Sequence, residues 1–108
     1  MTDSHKLQAL EELTRLDGIL HEPARLVLMS ILSVIRKSDF VFLANQTGLS
    51  KGNLSVQMSR LAEAGYVDIE KAFLNNRPRT TYRMTHKGRL AFSSYRKTML
   101  RLLRDLPD

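Results

Sequence analysis

"LSKGNLSVQMSRLAEAGYVDIEK", residues 49–71, begins with small polar side chains, takes on a helical apolar rhythm, stops at a glycine and turns strand-like. Leu54, Met58 and Leu61 are spaced four and three apart, which places them on one face of a helix from about Lys51 to Ala64. Ser50 stands where an N-cap belongs, and Gly65 where a C′ residue closes a helix. With the apolar residues inward, the outward set is Lys51, Asn53, Ser55, Val56, Gln57, Ser59 and Arg60. That face carries one acid, Glu63, at its far end. Base edges in the DNA major groove offer donors and acceptors that Asn and Gln read bidentately, Ser reads singly, and an aliphatic meets as a thymine methyl. An acid in the same turns would repel phosphate.

Working outward, "FVFLANQT" reads as a short helix capped by Ser38 or Asp39, and Gly48 supplies the sharp turn into the next one. Downstream, "YVDIEKAF" alternates around Val67 and Ile69, "NNRP" reads as a turn, and "RTTYRMT" alternates with Thr80, Tyr82 and Met84 on one side, which predicts a two-stranded hairpin. Helix, glycine turn, polar-faced helix and basic ribbon in this order match a helix-turn-helix with a β-wing. The side-chain chemistry assigns base contacts to Asn53, Val56 and Gln57, and phosphate contacts to Ser50, Lys51, Ser55 and Arg60, partly because a helix N-terminus favours an anion. Gly52, without a Cβ, permits close approach of the duplex. At the ribbon tip, Asn76 suits the turn and Arg77 and Arg79 flank Pro78, placed for a minor groove or its phosphates, whereas Lys71 and Arg83 on the stem are phosphate contacts or none. The same tip arginines also suit a ribbon edge protected from aggregation.

Two further leucine-rich stripes flank this core. The first, Leu7, Leu10, Leu13, Leu16 and Leu20, makes "SHKLQALEELTRLDGIL" an amphipathic helix weakened by "DG" at 17 and 18. The last helix, "HKGRLAFSSYRKTMLRLLRDL", is capped by Thr85 and carries Tyr95, Met99, Leu102, Leu103 and Leu106. Between them, "ARLVLMSILSVI" starts near Pro23 and is apolar on nearly every face, which predicts the most buried helix. The two stripes exceed what a small core needs, and Leu7, Leu10, Leu13, Tyr95, Met99, Leu102 and Leu103 are expected at a homodimer interface; packing of both helices within one chain is the alternative. A two-fold dimer would set two recognition helices one turn of DNA apart, roughly 34 Å. The 108 residues thus read as one mainly α unit with a small β-hairpin wing (α+β): an N-terminal dimerisation helix over 1–20, a winged-helix core over 21–85 and a C-terminal dimerisation helix over 86–108.

Charge is segregated. Residues 1–70 hold 7 Lys/Arg against 9 Asp/Glu, whereas Lys71 through Arg104 hold ten basic residues and no acid. Such a surface suits a polyanion, nucleic acid ahead of an anionic membrane. The sequence has no cysteine, a charged N-terminus unlike a secretory signal and no apolar run of spanning length, so a cytoplasmic location without membrane association is expected. His5, His21 and His86 stand apart without neighbouring ligands, so no metal or cofactor is expected. No nucleotide-binding glycine loop, nucleophile elbow or carboxylate cluster suggests an enzyme. Nothing in the sequence calls for a small-molecule effector.

"HEPARLVLMSIL", "SKGNLSVQMSRLAEAGYVDIEKAF" and "RPRTTYRMTHKGRLAF", with the spacing between them, resemble the winged-helix transcriptional regulators of the multiple-antibiotic-resistance (MarR) and arsenic-repressor (ArsR) types, in particular their small stand-alone members. The resemblance spans roughly residues 19–96. It implies a DNA-binding transcription regulator acting as a homodimer on a near-palindromic operator, with a recognition helix at about 50–64 and a wing within 66–85. Gln57 departs from the histidine often found there, so base preference is not implied. A winged helix serving as a protein-interaction module, or one associated with RNA, are the competing readings. Steep loss of duplex binding with salt separates the first from DNA binding, and competition by structured RNA the second.

Overall fold

The computed structural model describes residues 2–108, with side chains described from residue 4 onward. The elements are α1 (Thr2–Glu11), extended by one 3-10 turn (Glu12–Arg15), then α2 (Pro23–Val34), β1 (Lys37–Asp39), α3 (Phe40–Thr47), α4 (Lys51–Glu63), β2 (Val67–Leu74), β3 (Arg77–Met84) and α5 (His86–Leu103). Helices α2, α3 and α4 close around Leu28, Met29, Leu32, Leu43, Leu54, Met58 and Leu61, every one of them essentially inaccessible to solvent. Val67, Tyr82 and Met84 of the ribbon and Phe92 and Tyr95 of α5 seal that core.

Local chemistry sets most of the boundaries. The Glu22 carboxylate caps α2 by accepting from the Arg25 amide at 2.9 Å, with Pro23 in the first turn where its missing N–H is not needed. Asp39 caps α3 through the Phe42 amide (2.8 Å), Ser50 caps α4 through the Asn53 amide (3.1 Å), and Thr85 caps α5 through the Gly88 amide (2.9 Å). Gly48 (φ 72°) and Gly65 (φ 80°) take left-handed conformations that reverse the chain after α3 and α4. At the second, the Gly65 and Tyr66 amides return to the carbonyls of Ala62 and Leu61, both at 2.9 Å, the paired bonds of a Schellman cap.

Four expectations change. The sheet has three strands and not the two of the expected hairpin, in the order β1-β3-β2, because Lys37, Ser38 and Asp39 pair antiparallel with Arg83, Tyr82 and Thr81. The hairpin turn is only Asn75-Asn76, both with positive φ (53° and 63°); Arg77 and Pro78 already pair with Leu74 and Phe73. Pro78 is accommodated in β3 because β1 reaches only as far as Thr81 on that side. The N-terminal helix does not run through to Leu20: Asp17 Oδ1 accepts from the amides of Ile19 (2.8 Å) and Leu20 (3.4 Å), a local turn that competes with helix and delivers Leu20 into the core. Finally, α2 is not buried all round, since Val27 and Val34 on its other side face solvent.

Candidate nucleic-acid interface

Helix α4 turns Leu54, Met58 and Leu61 inward, which leaves Lys51, Gly52, Asn53, Ser55, Val56, Ser59 and Arg60 exposed on its outer face. Gln57 is half-buried, and its surroundings explain why. Arg25 of α2 donates from Nη1 to Gln57 Oε1 at 2.7 Å, and Gln57 Nε2 donates to Asn53 Oδ1 at 3.0 Å, one helical turn earlier. The two amide side chains assigned to base contacts are therefore one hydrogen-bonded unit, anchored to a neighbouring helix. Ser50 spends its hydroxyl as an acceptor on the cap, so toward an anion it offers its O–H hydrogen beside the unpaired N–H groups of the first turn.

The ribbon adjoins α4 through the Gly65 turn, and its register divides the candidate cations between two faces. Val67, Ile69, Lys71 and Phe73 share the face that continues the core, opposite Met84, Tyr82, Thr80 and Pro78. Arg77, Arg79 and Arg83 lie on the other face, opposite Leu74, Ala72 and Asp68. Asn76 sits at the tip itself. Two of those arginines have acidic partners: Arg79 reaches Asp39 at 3.3 Å, and Arg83 reaches Asp68 at 3.4 Å. Lys37 and Glu70 form a third pair across the same sheet, at 3.3 Å. All three pairs are largely solvent-exposed and weakly held. Among the described residues, Lys51, Arg60, Lys71 and Arg77 have no acidic side chain within ion-pair distance.

The two terminal helices meet, and the Arg101 guanidinium donates to Glu12 at 2.9 Å. Their apolar side chains do not form two outward stripes. Tyr95 and Leu102 are turned inward and are almost wholly covered by the chain's own atoms, Tyr95 with its hydroxyl 2.8 Å from His21 Nδ1. Leu10, Leu13 and Met99 are half-buried, whereas Leu7 (63 % exposed), Leu100 (66 %) and Leu103 (42 %) face solvent. Tyr95 turns in because its partner, 74 residues away in sequence, lies in the loop after α1. That same loop supplies Asp17, whose second carboxylate oxygen accepts from the Tyr66 hydroxyl just beyond α4. Burial, together with this carboxylate, pushes the Tyr66 phenol up to about 12.

Among the described residues no group of three or more His, Cys, Asp or Glu side chains could hold a metal ion, and no helix is long and apolar enough to cross a membrane. Arg25 is the side chain that the sequence pattern did not bring forward. It is the one charge within an otherwise apolar helix, and such a charge must find partners when covered, which is the signal that could have marked it.

This architecture recurs in known proteins. A transcriptional regulator homologue protein from Pyrococcus horikoshii superposes with a TM-score of 0.82 at 28% identity, covering 92% of this chain and 99% of that one. A mutant MarR from Escherichia coli, solved in complex with operator DNA, shares the fold with a TM-score of 0.66 at 18% identity, over 97% of this chain and 76% of its own. An uncharacterised protein of Methanocaldococcus jannaschii is 28% identical over 88 residues, which is 82% of this chain and 96% of that protein. The profile of the family described as "Winged helix DNA-binding domain" matches residues 24–103, from the start of α2 to the end of α5. The chain therefore belongs to the winged helix DNA-binding domain family, and its fold is that of the MarR-type transcriptional regulators.

Proposed function

We propose that the protein is a sequence-specific regulator of transcription that binds double-stranded DNA as a homodimer, with α4 in the major groove and the β2–β3 wing on the adjacent minor groove and backbone. The observation that carries this reading is the outer face of α4: exposed, free of acids from Lys51 through Ala62, and continuous through one tight turn with an arginine-bearing ribbon. A helix fits the groove only if its outward side chains are short or able to pair with bases, and Asn53, Ser55, Val56, Gln57 and Ser59 meet that condition. Lys51, Arg60, Lys71 and Arg77, which lack carboxylate partners, are the phosphate contacts best supported; Arg79 and Arg83 must first exchange Asp39 and Asp68 for phosphate. The exposed leucines of α1 and α5 supply the two-fold contact, with residues 21–85 presenting the DNA-binding surface. A near-palindromic operator follows from that symmetry.

The experiment is selection of sites from random duplex, followed by titration of the winning site at increasing salt. Affinity should fall linearly on a logarithmic salt scale. Gln57→Ala should relax preference at one base-pair position, whereas Arg77→Ala should weaken all sequences and reduce the salt slope by about one per wing. A slope near zero, or a selected motif indifferent to both substitutions, would remove the reading.

A further inference from the structure

Arg25 is held on three sides. Its Nε donates to the Ile19 carbonyl at 2.6 Å, its Nη2 to the Gly18 carbonyl at 3.4 Å, and its Nη1 to Gln57 Oε1 at 2.7 Å, with the Glu22 carboxylate 3.9 Å away. Only 12% of its side chain is exposed. A guanidinium can donate and cannot accept, so the Gln57 atom facing it must be the amide oxygen. The Gln57 nitrogen is thereby committed to the other side, where it donates to Asn53, and what it meets there must be the Asn53 oxygen. One obligate donor thus fixes the orientation of two amides that would otherwise be free to flip. The hydrogens left over all point to the same chemistry: one N–H on Gln57 and both on Asn53 remain unspent, while Gln57 Oε1 is already engaged.

We propose that Arg25 is a positioning residue that sets the polarity of base readout, turning α4 into a donor-presenting surface that selects guanine. An unconstrained Gln or Asn reads adenine bidentately, its oxygen taking the N6 hydrogen and its nitrogen serving N7. Arg25 takes one of the two lone pairs on the Gln57 oxygen and holds that atom toward α2, which disfavours the adenine pairing. Guanine presents two acceptors, O6 and N7, to which the free N–H groups of Gln57 and Asn53 are complementary. The inference rests on α4 being the groove-reading helix.

The test compares sites selected from random duplex by the wild type, Gln57→Ala, Arg25→Met and Arg25→Lys, with each variant's fold checked by circular dichroism. The position relaxed by Gln57→Ala should be guanine in the wild-type motif. Arg25→Met frees the Gln57 oxygen, and the ratio of guanine to adenine affinity at that position should drop by roughly tenfold. Arg25→Lys keeps the charge and the packed stem but cannot span Ile19 and Gln57 together, so it should move the same position in the same direction even if the methionine variant is unstable. A purely structural loss would instead weaken every duplex in proportion and leave the base order unchanged, and that outcome overturns the proposal. A wild-type motif with adenine or cytosine at the Gln57 position also overturns it, with the DNA-binding function intact. Selection of no motif at all would remove the groove-reading helix and this inference with it.

Discussion

Replacing Gly88 by alanine sets two effects of opposite sign against each other. In an exposed helix, alanine is more favourable than glycine by about 1 kcal/mol, so a substitution in the first turn of α5 would ordinarily stabilise. Here a Cβ would sit 2.2 Å from the Tyr66 carbonyl oxygen and 2.9 Å from both its carbonyl carbon and Cα. All three are backbone atoms at the junction of α4 and β2, so no side-chain rotation relieves the clash. Ordinary contact begins at 3.4 Å, so α5 must retreat by about 1 Å. Retreat stretches the two bonds that tie its cap to the junction, Thr85 amide to Tyr66 oxygen at 3.0 Å and Thr85 Oγ1 to Gly65 oxygen at 2.6 Å. Two such bonds at about 1 kcal/mol each, with overpacking of about 1–3 kcal/mol, outweigh the propensity gain. The net expectation is destabilisation by about 2–4 kcal/mol, a substantial share of the roughly 5–15 kcal/mol that holds a domain folded. Urea unfolding followed by circular dichroism measures it. A Gly88→Ala protein as stable as the parent, or more so, would show that α5 is not seated on Tyr66 as described.

Gly52, by contrast, has nothing within 4 Å of a Cβ position. Gly52→Ala should therefore raise stability by about 0.5–1 kcal/mol in the same assay while weakening duplex binding, if backbone approach at the α4 N-terminus is part of the interface. The Thr81 hydroxyl is buried without a hydrogen-bond partner, so Thr81→Val should stabilise by about 1 kcal/mol, seen as a melting temperature raised by several degrees. All three tyrosines have phenols pushed above 10.0 chiefly by burial, Tyr66 to about 12. The folded chain then keeps protons that the unfolded chain releases near 10, so stability is full below pH 10 and falls as pH rises toward 12. Tyrosinate absorbance in a pH titration should stay low at pH 10 in the folded protein, and half-ionisation there would contradict the burial.

What could be read along the chain and what could not differ in range of contact. The four-and-three spacing of Leu54, Met58 and Leu61, the Ser50 and Thr85 caps and the Gly48 and Gly65 turns are decided within a few residues, and each was legible. Strand β1 was not, because "KSD" has neither length nor alternation; it is a strand only through Thr81–Arg83, over forty residues later. Nor could spacing alone show that Tyr95 turns in toward His21, or that Asp17 ends the first helix early by taking two amides for itself. The exposed face of α4 was visible in outline, whereas its hydrogen-bonded organisation was not. Arg25 lies 32 residues before Gln57, and nothing in helical periodicity connects them.

The ion pairs on the wing have a kinetic consequence. Asp39 and Asp68 already occupy Arg79 and Arg83, acting as tethered rivals of any phosphate that approaches. On the DNA-binding reading, random duplex must displace both carboxylates without the compensation that a matched site offers through α4, so such encounters are short-lived. Removing Asp68, which unlike Asp39 caps no helix, should lengthen residence on arbitrary sequence and slow the hunt for the correct one: a stickier protein, and a poorer searcher.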